Sequence, residues 1–137
     1  MANEAKLVFE TALPIPFTVA NGTGIEKGTL LAISDLMTAA AAVENDSIAG
    51  IAASEKIAND GNTKLGVYRQ GIFRMAISGA GALTVGTTVA ASGSNCIKTA
   101  TAANVGSDIL GIALETGADT ETILVELNIG ANNNAYT

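Results

Sequence analysis

Histidine and tryptophan are both absent from the 137 residues, and cysteine occurs once, as Cys96. Without histidine the chain lacks the commonest general base and the commonest metal ligand at neutral pH. No Ser–His or Cys–His pair can form. A lone cysteine excludes an internal disulfide and gives zinc no thiolate pair. Cys96, in SNCIK, reads as a small buried residue rather than a nucleophile. Aromatic residues make up only 4%, so Ala, Val, Ile and Leu must fill the core. Charged residues are 15%, against about 25% in an average soluble protein, which leaves Thr, Ser, Asn, Ala and Gly to make the surface. Such a surface loses little hydration when a neighbour covers it. It is compatible with assembly, and equally with a Thr-rich β surface of no special purpose.

Positive charge is also scarce. The seven basic residues, Lys6, Lys27, Lys56, Lys64, Arg69, Arg74 and Lys98, are scattered, and the net charge is −6. Nucleic-acid binding needs clustered Lys and Arg, so no nucleic-acid partner is expected. Mean hydropathy is positive, yet no apolar run approaches the roughly 20 residues of a bilayer-crossing helix. No membrane partner is expected. The opening MANEAK has no basic region ahead of an apolar stretch, unlike a secretory leader; the lone cysteine, which rules out a disulfide framework, fits synthesis in a cytoplasm.

The remaining candidates for chemistry are weak. Glu44 with Asp46, and Asp119 with Glu121, are carboxylate pairs in predicted turns, where acidic residues are solvated, and no Trp offers a sugar-stacking platform. NDGN (59–62) has oxygens suited to calcium but lacks the distal bidentate Glu of a full loop, so a hairpin turn is the stronger reading. GTGIEKG (22–28) is not a dinucleotide fingerprint and no helix pattern follows it. No catalytic residue, cofactor or metal site is assigned, and the chain is not read as an enzyme.

What the chain does contain is one β pattern written twice. GTLLAIS (28–34), IAGIAASE (48–55) and TKLGVYRQG (63–71) are followed, near sixty residues later, by GTTVAAS (86–92), ILGIALE (109–115) and TILVELNIG (122–130). The pseudo-repeats run from about 25 to 77 and from about 83 to 130. The clearest strand is TILVELNI, with Ile123, Val125, Leu127 and Ile129 on one face. Gly50 and Gly111, each inside an apolar run, mark a bulge or a close backbone approach. DLMTAAAAV (35–43) is open between helix, from its alanines, and a short strand with a loop. SGAGA (78–82) is too short to link independent domains, so the halves share one core. The tail ANNNAYT (131–137) has no periodicity and is expected to be loose. Short strands separated by Gly, Asn, Asp and Ser predict a small single-domain all-β sandwich or barrel.

Residues 1–20 stand apart as an extended N-terminal arm, with residues 21–137 forming the β domain. KLVFE (6–10) reads as a strand. Pro14 and Pro16 make LPIPF an extended arm or an edge rather than a central strand. Two uses of the arm are open. It docks on a neighbouring protein or subunit through Leu7, Phe9, Leu13, Ile15 and Phe17, or it closes over the domain's own core.

Together, GTLLAIS, IAGIA, KLGVYRQGIF, TVGTTVAAS, ILGIALE and TILVELN resemble the small capsid decoration, or cement, proteins of tailed phages and related archaeal viruses, over roughly residues 15 to 129. The resemblance implies a β-rich structural protein on the outer surface of a mature icosahedral head, bound to the major capsid protein. It also implies a homotrimer that holds adjacent capsomers together. No contact residue carries over with it. The alternative is a head-surface or fibre module that recognises a glycan or host surface, for which exposed aromatics clustered in loops would be the mark. The only tyrosines, Tyr68 and Tyr136, lie far apart in sequence.

Overall fold

A computed structural model describes residues 2–79, 81–102, 104 and 106–129; the expected loose tail and Tyr136 lie outside this set. The fold is all-β, as expected. The strands are β1 (Lys6–Phe9), β2 (Ile15–Thr18), β3 (Leu30–Ser34), β4 (Thr38–Ala41), β5 (Ile48–Ala52), β6 (Lys64–Tyr68), β7 (Gln70–Ala76), β8 (Thr88–Gly93), β9 (Cys96–Thr99), β10 (Ile109–Ala113) and β11 (Thr122–Asn128). A 3-10 turn, Gly106–Asp108, precedes β10. The ambiguous DLMTAAAAV resolves as a tight turn leading into β4.

β2, β4, β3, β5 and β6 form a closed barrel in that order. β2 closes it by pairing antiparallel with β6 and, at Thr18↔Thr38, parallel with β4. The second half repeats this plan. β7, β11, β10, β8 and β9 follow one another in a six-stranded sheet, with β1 added outside β7. A parallel bridge, Ile77↔Ile97, joins the end of β7 to β9 as Thr18↔Thr38 joins β2 to β4. The registers agree. Phe17↔Leu65 in the first unit matches Met75↔Ile123 in the second, and Ile15↔Val67 matches Phe73↔Val125, each shifted by 58 positions.

The duplicated unit therefore begins earlier than the pseudo-repeats at about 25–77 and 83–130. The LPIPF segment supplies the first strand of unit 1, and GIFRMAI opens unit 2 rather than ending unit 1. IPFT and FRMA share only alternation, so no identity marks their equivalence. Pro16 faces Gly66 in the register with β6, and β2 meets β4 at one residue pair. This agrees with the edge character that proline imposes by lacking a donor.

Alternation sets the inside of each unit. In unit 1, Phe17, Val19, Leu31, Ala39, Ala49, Leu65 and Val67 form a buried cluster. In β5 every residue is buried. Ala49 faces the barrel interior, while Ile48 and Ile51 join Leu30 in the larger cluster with Phe73, Met75, Leu110 and Val125 of unit 2. The outer face of one unit is thus core for the other, and the halves share one core. Burying each such Leu or Ile contributes about 1.5–3 kcal/mol.

Gly50 and Gly111 have the role expected of them. A Cβ on Gly50 would collide with the carbonyl oxygen of Tyr68, and one on Gly111 with that of Glu126. Register shifts sit beside both, on the β3–β5 and β8–β10 pairs.

Candidate interaction surface

The predicted contact residues divide. Leu7 and Phe9 lie on β1, where all four residues are exposed, Phe9 at 60%. Leu13, 77% exposed, lies between β1 and β2, and Ile15 is exposed on the outside of the barrel. Phe17 is only 1% exposed and belongs to the interior of unit 1. Its expected place on a docking face is corrected accordingly: with Ile15 pointing out, strand periodicity turns Phe17 inward. The Arg69 guanidinium lies 5.7 Å from its ring centroid, and Arg69 Nη1 donates to the Ala49 carbonyl at 2.8 Å. β1 and β2 belong to different sheets, so the four exposed residues flank a chain crossing from one unit to the other rather than lining one strand.

β1 itself adds to β7 of its own chain, with Lys6↔Arg74 and Leu7↔Phe73 in register. It stands at one end of the six-stranded sheet. Both its faces and its outer edge are therefore available to a neighbour. A shallow groove between β1 and unit 1 is lined by Lys6, Leu7, Lys27, Ala52, Tyr68 and Phe73. Tyr68 stacks edge-on against Phe73 at 5.6 Å, and its hydroxyl donates to Glu10 Oε2 at 2.8 Å. That bond, with burial adding to it, pushes the Tyr68 pKa above its ordinary value.

Several titratable groups are engaged in structure. Asp46 accepts from Val43 N and Glu121 from Ala118 N, each closing a local turn, whereas Asp119 accepts from Gly79 N and ties two loops together. Glu44 accepts from Lys98 Nζ at 2.8 Å. In NDGN, the Asp60 carboxylate accepts from the Lys56 ammonium at 2.6 Å and from Asn62 N, and the Lys56 bond is the chief cause holding its pKa below the usual carboxylate range. The Lys56 side chain is fully buried, and its Nζ also donates to the carbonyls of Asn21 and Ile57. Cys96 is buried, and burial raises its thiol pKa. Among the described residues no group of three His, Cys, Asp or Glu is placed to hold a metal, and no helix is long and apolar enough to cross a membrane.

Sequence reading did not single out Leu36 and Met37. They form the tip of the β3–β4 hairpin, both with positive φ, and both are exposed. A tip of this kind favours Asn and Gly. The signal was in the duplication: Leu36–Met37 aligns with Ser94–Asn95, an ordinary turn pair, so the apolar pair is the anomaly.

The described residues thus form a duplicated β scaffold with exposed apolar side chains on an edge strand and on a hairpin tip. The model of the phage cement protein family matches residues 9–128, and the chain belongs to that family. It is a structural protein of the phage head. Among solved structures, the N base of head fiber gp8.5 in bacteriophage phi29 is similar in fold, with a TM-score of 0.54 at 18% identity over 83% of this chain and 93% of that one. No curated protein matches by sequence.

Proposed function

We propose that the chain binds the outer surface of the assembled head as a homotrimer and stabilises it by bridging neighbouring capsomers of the major capsid protein, without catalytic activity. The observation that carries this reading, beside the family, is β1. KLVF is an apolar strand at the end of a sheet, exposed along its whole length. Such an edge is a template for strand addition, in which main-chain hydrogen bonds supply affinity and side chains select the partner. Leu13 and Ile15 extend the apolar surface beyond it. The low charge of the chain keeps the desolvation cost of attachment small.

Quantitative mass spectrometry of gradient-purified virions tests the reading. A copy number comparable to the major capsid protein supports a shell component, and absence from particles overturns it. A few copies per particle favours the alternative module for a glycan or host surface, to which the fold likeness to a head fiber base lends support. Replacing Phe9 by Ala should lower occupancy on heads while leaving the fold intact; unchanged occupancy would remove β1 from the attachment.

A further inference from the structure

The duplication places two equivalent surfaces in each unit, and within one chain only half of them are covered. In unit 2 the hairpin tip Ser94–Asn95 sits on the entry to β3 of unit 1. Asn95 Oδ1 accepts from Leu30 N at 2.6 Å, and Asn95 Nδ2 donates to the Gly28 carbonyl at 2.9 Å. Gly28 and Thr29 are buried there, the tip sharing the entry with the N-terminal Glu4 and Ala5, which a Cβ on Gly28 would run into.

The corresponding surfaces are bare. The tip of unit 1, Leu36–Met37, is 90% and 49% exposed. The entry to β8 in unit 2 has Gly86 exposed and Thr87 half-buried, and a Cβ on Gly86 would meet nothing within 4 Å. The two pairs also differ in chemistry in a matched way. The covered pair is polar, with Ser94–Asn95 against an entry that carries Lys27. The bare pair is apolar, with Leu36–Met37 on the tip and Val85, 56% exposed, at the entry position equivalent to Lys27. Leu36 and Met37 both hold the left-handed conformation, with φ of 62° and 51°, which side chains with a Cβ adopt at a cost.

We infer that a second copy of the chain covers them: the Leu36–Met37 tip of one protomer docks through apolar contact at the Val85–Thr87 entry of the next, taking between chains the place that the Ser94–Asn95 tip takes within one. The contact is heterologous, so successive copies close into a ring or run on. The inference rests on the self-association proposed above and names the surfaces that carry it.

Leu36→Asp and Val85→Asp both alter exposed loop positions, and Asp tolerates the tip conformation better than Leu. Sedimentation over a concentration series should show the wild type associating and each variant weakened by ~10-fold or more. An equimolar mixture should recover a two-chain species and nothing larger, because one variant keeps its entry and the other keeps its tip. A wild type that stays monomeric, or a mixture that does not pair, overturns the inference. Variants that assemble like the wild type overturn it too, but leave a homotrimer built through other surfaces standing. If Leu36→Asp instead abolishes head attachment with self-association unchanged, the tip belongs to the shell and the inference fails.

Discussion

Unit 1 and unit 2 share strand order, register and closing bridge, but they fill their interiors differently. Phe17 of unit 1 is replaced by Met75, while Ala39 and Ala49 are replaced by Ile97 and Leu110, all buried. One aromatic ring with small neighbours and a set of longer aliphatic chains occupy equivalent space, as cores tolerate when total volume is kept. The bases differ as well. The bridge Ile25↔Lys56 of unit 1 corresponds to Leu83↔Gly117 of unit 2. In unit 1 the lysine stem passes through the base, and its ammonium holds the loop by three hydrogen bonds. In unit 2 a side chain at Gly117 would meet Ile123 and Ile77, which already occupy that place. The comparison teaches that topology was kept through duplication by backbone constraints, while interior and base were free to diverge as long as they stayed filled.

The sharpest test of that view lies in the glycines. Gly50→Ala and Gly111→Ala should each cost about 4 kcal/mol or more, because the clash is with backbone that cannot step aside. Urea midpoints should fall alike for the two; a mild effect at one of them would break the equivalence of the units. Phe17→Ala should cost about 3–5 kcal/mol, whereas Phe9→Ala should stay within about 0.5 kcal/mol in the same assay. Lys56→Met should cost about 2–3 kcal/mol through its lost charged hydrogen bonds, with no counterpart in unit 2.

The Lys56–Asp60 contact also carries a pH signature. The Asp60 pKa is lowered in the folded chain, so this contribution is present above the unfolded carboxyl value, 3.8, and is lost as pH falls through the lower folded one. Acid titration of thermal stability should be steeper below that value in the wild type than in Lys56→Met; parallel curves would exclude the contact as the cause. One expected effect has the opposite sign. Replacing Leu36 by Asn and Met37 by Gly installs the residues that the tip geometry favours and should raise monomer stability by about 1–2 kcal/mol, read from the melting temperature. The same change at the tip should weaken self-association, so stability and assembly would move apart.

Three features are written in the chain alone: the β class, the strand at 122–128 and the lack of a histidine-based site. Each of these follows from composition or from a local period, and local sterics decide them wherever the chain goes next. Tertiary structure decided the rest. Proline content marked LPIPF as an edge, but only the pairing of β2 with both β6 and β4 turned Phe17 into core and left Ile15 outside. The equivalence of β2 and β7 rests on the register shared with β6 and β11, not on residue identity. Whether a hairpin tip is covered depends on the surface brought against it: Asn95 meets Leu30 across 65 positions of chain, while Leu36 meets none of the buried core. Inside and outside are properties of what lies across space, and a local sequence window carries the alternation of a strand without saying which face finds a partner.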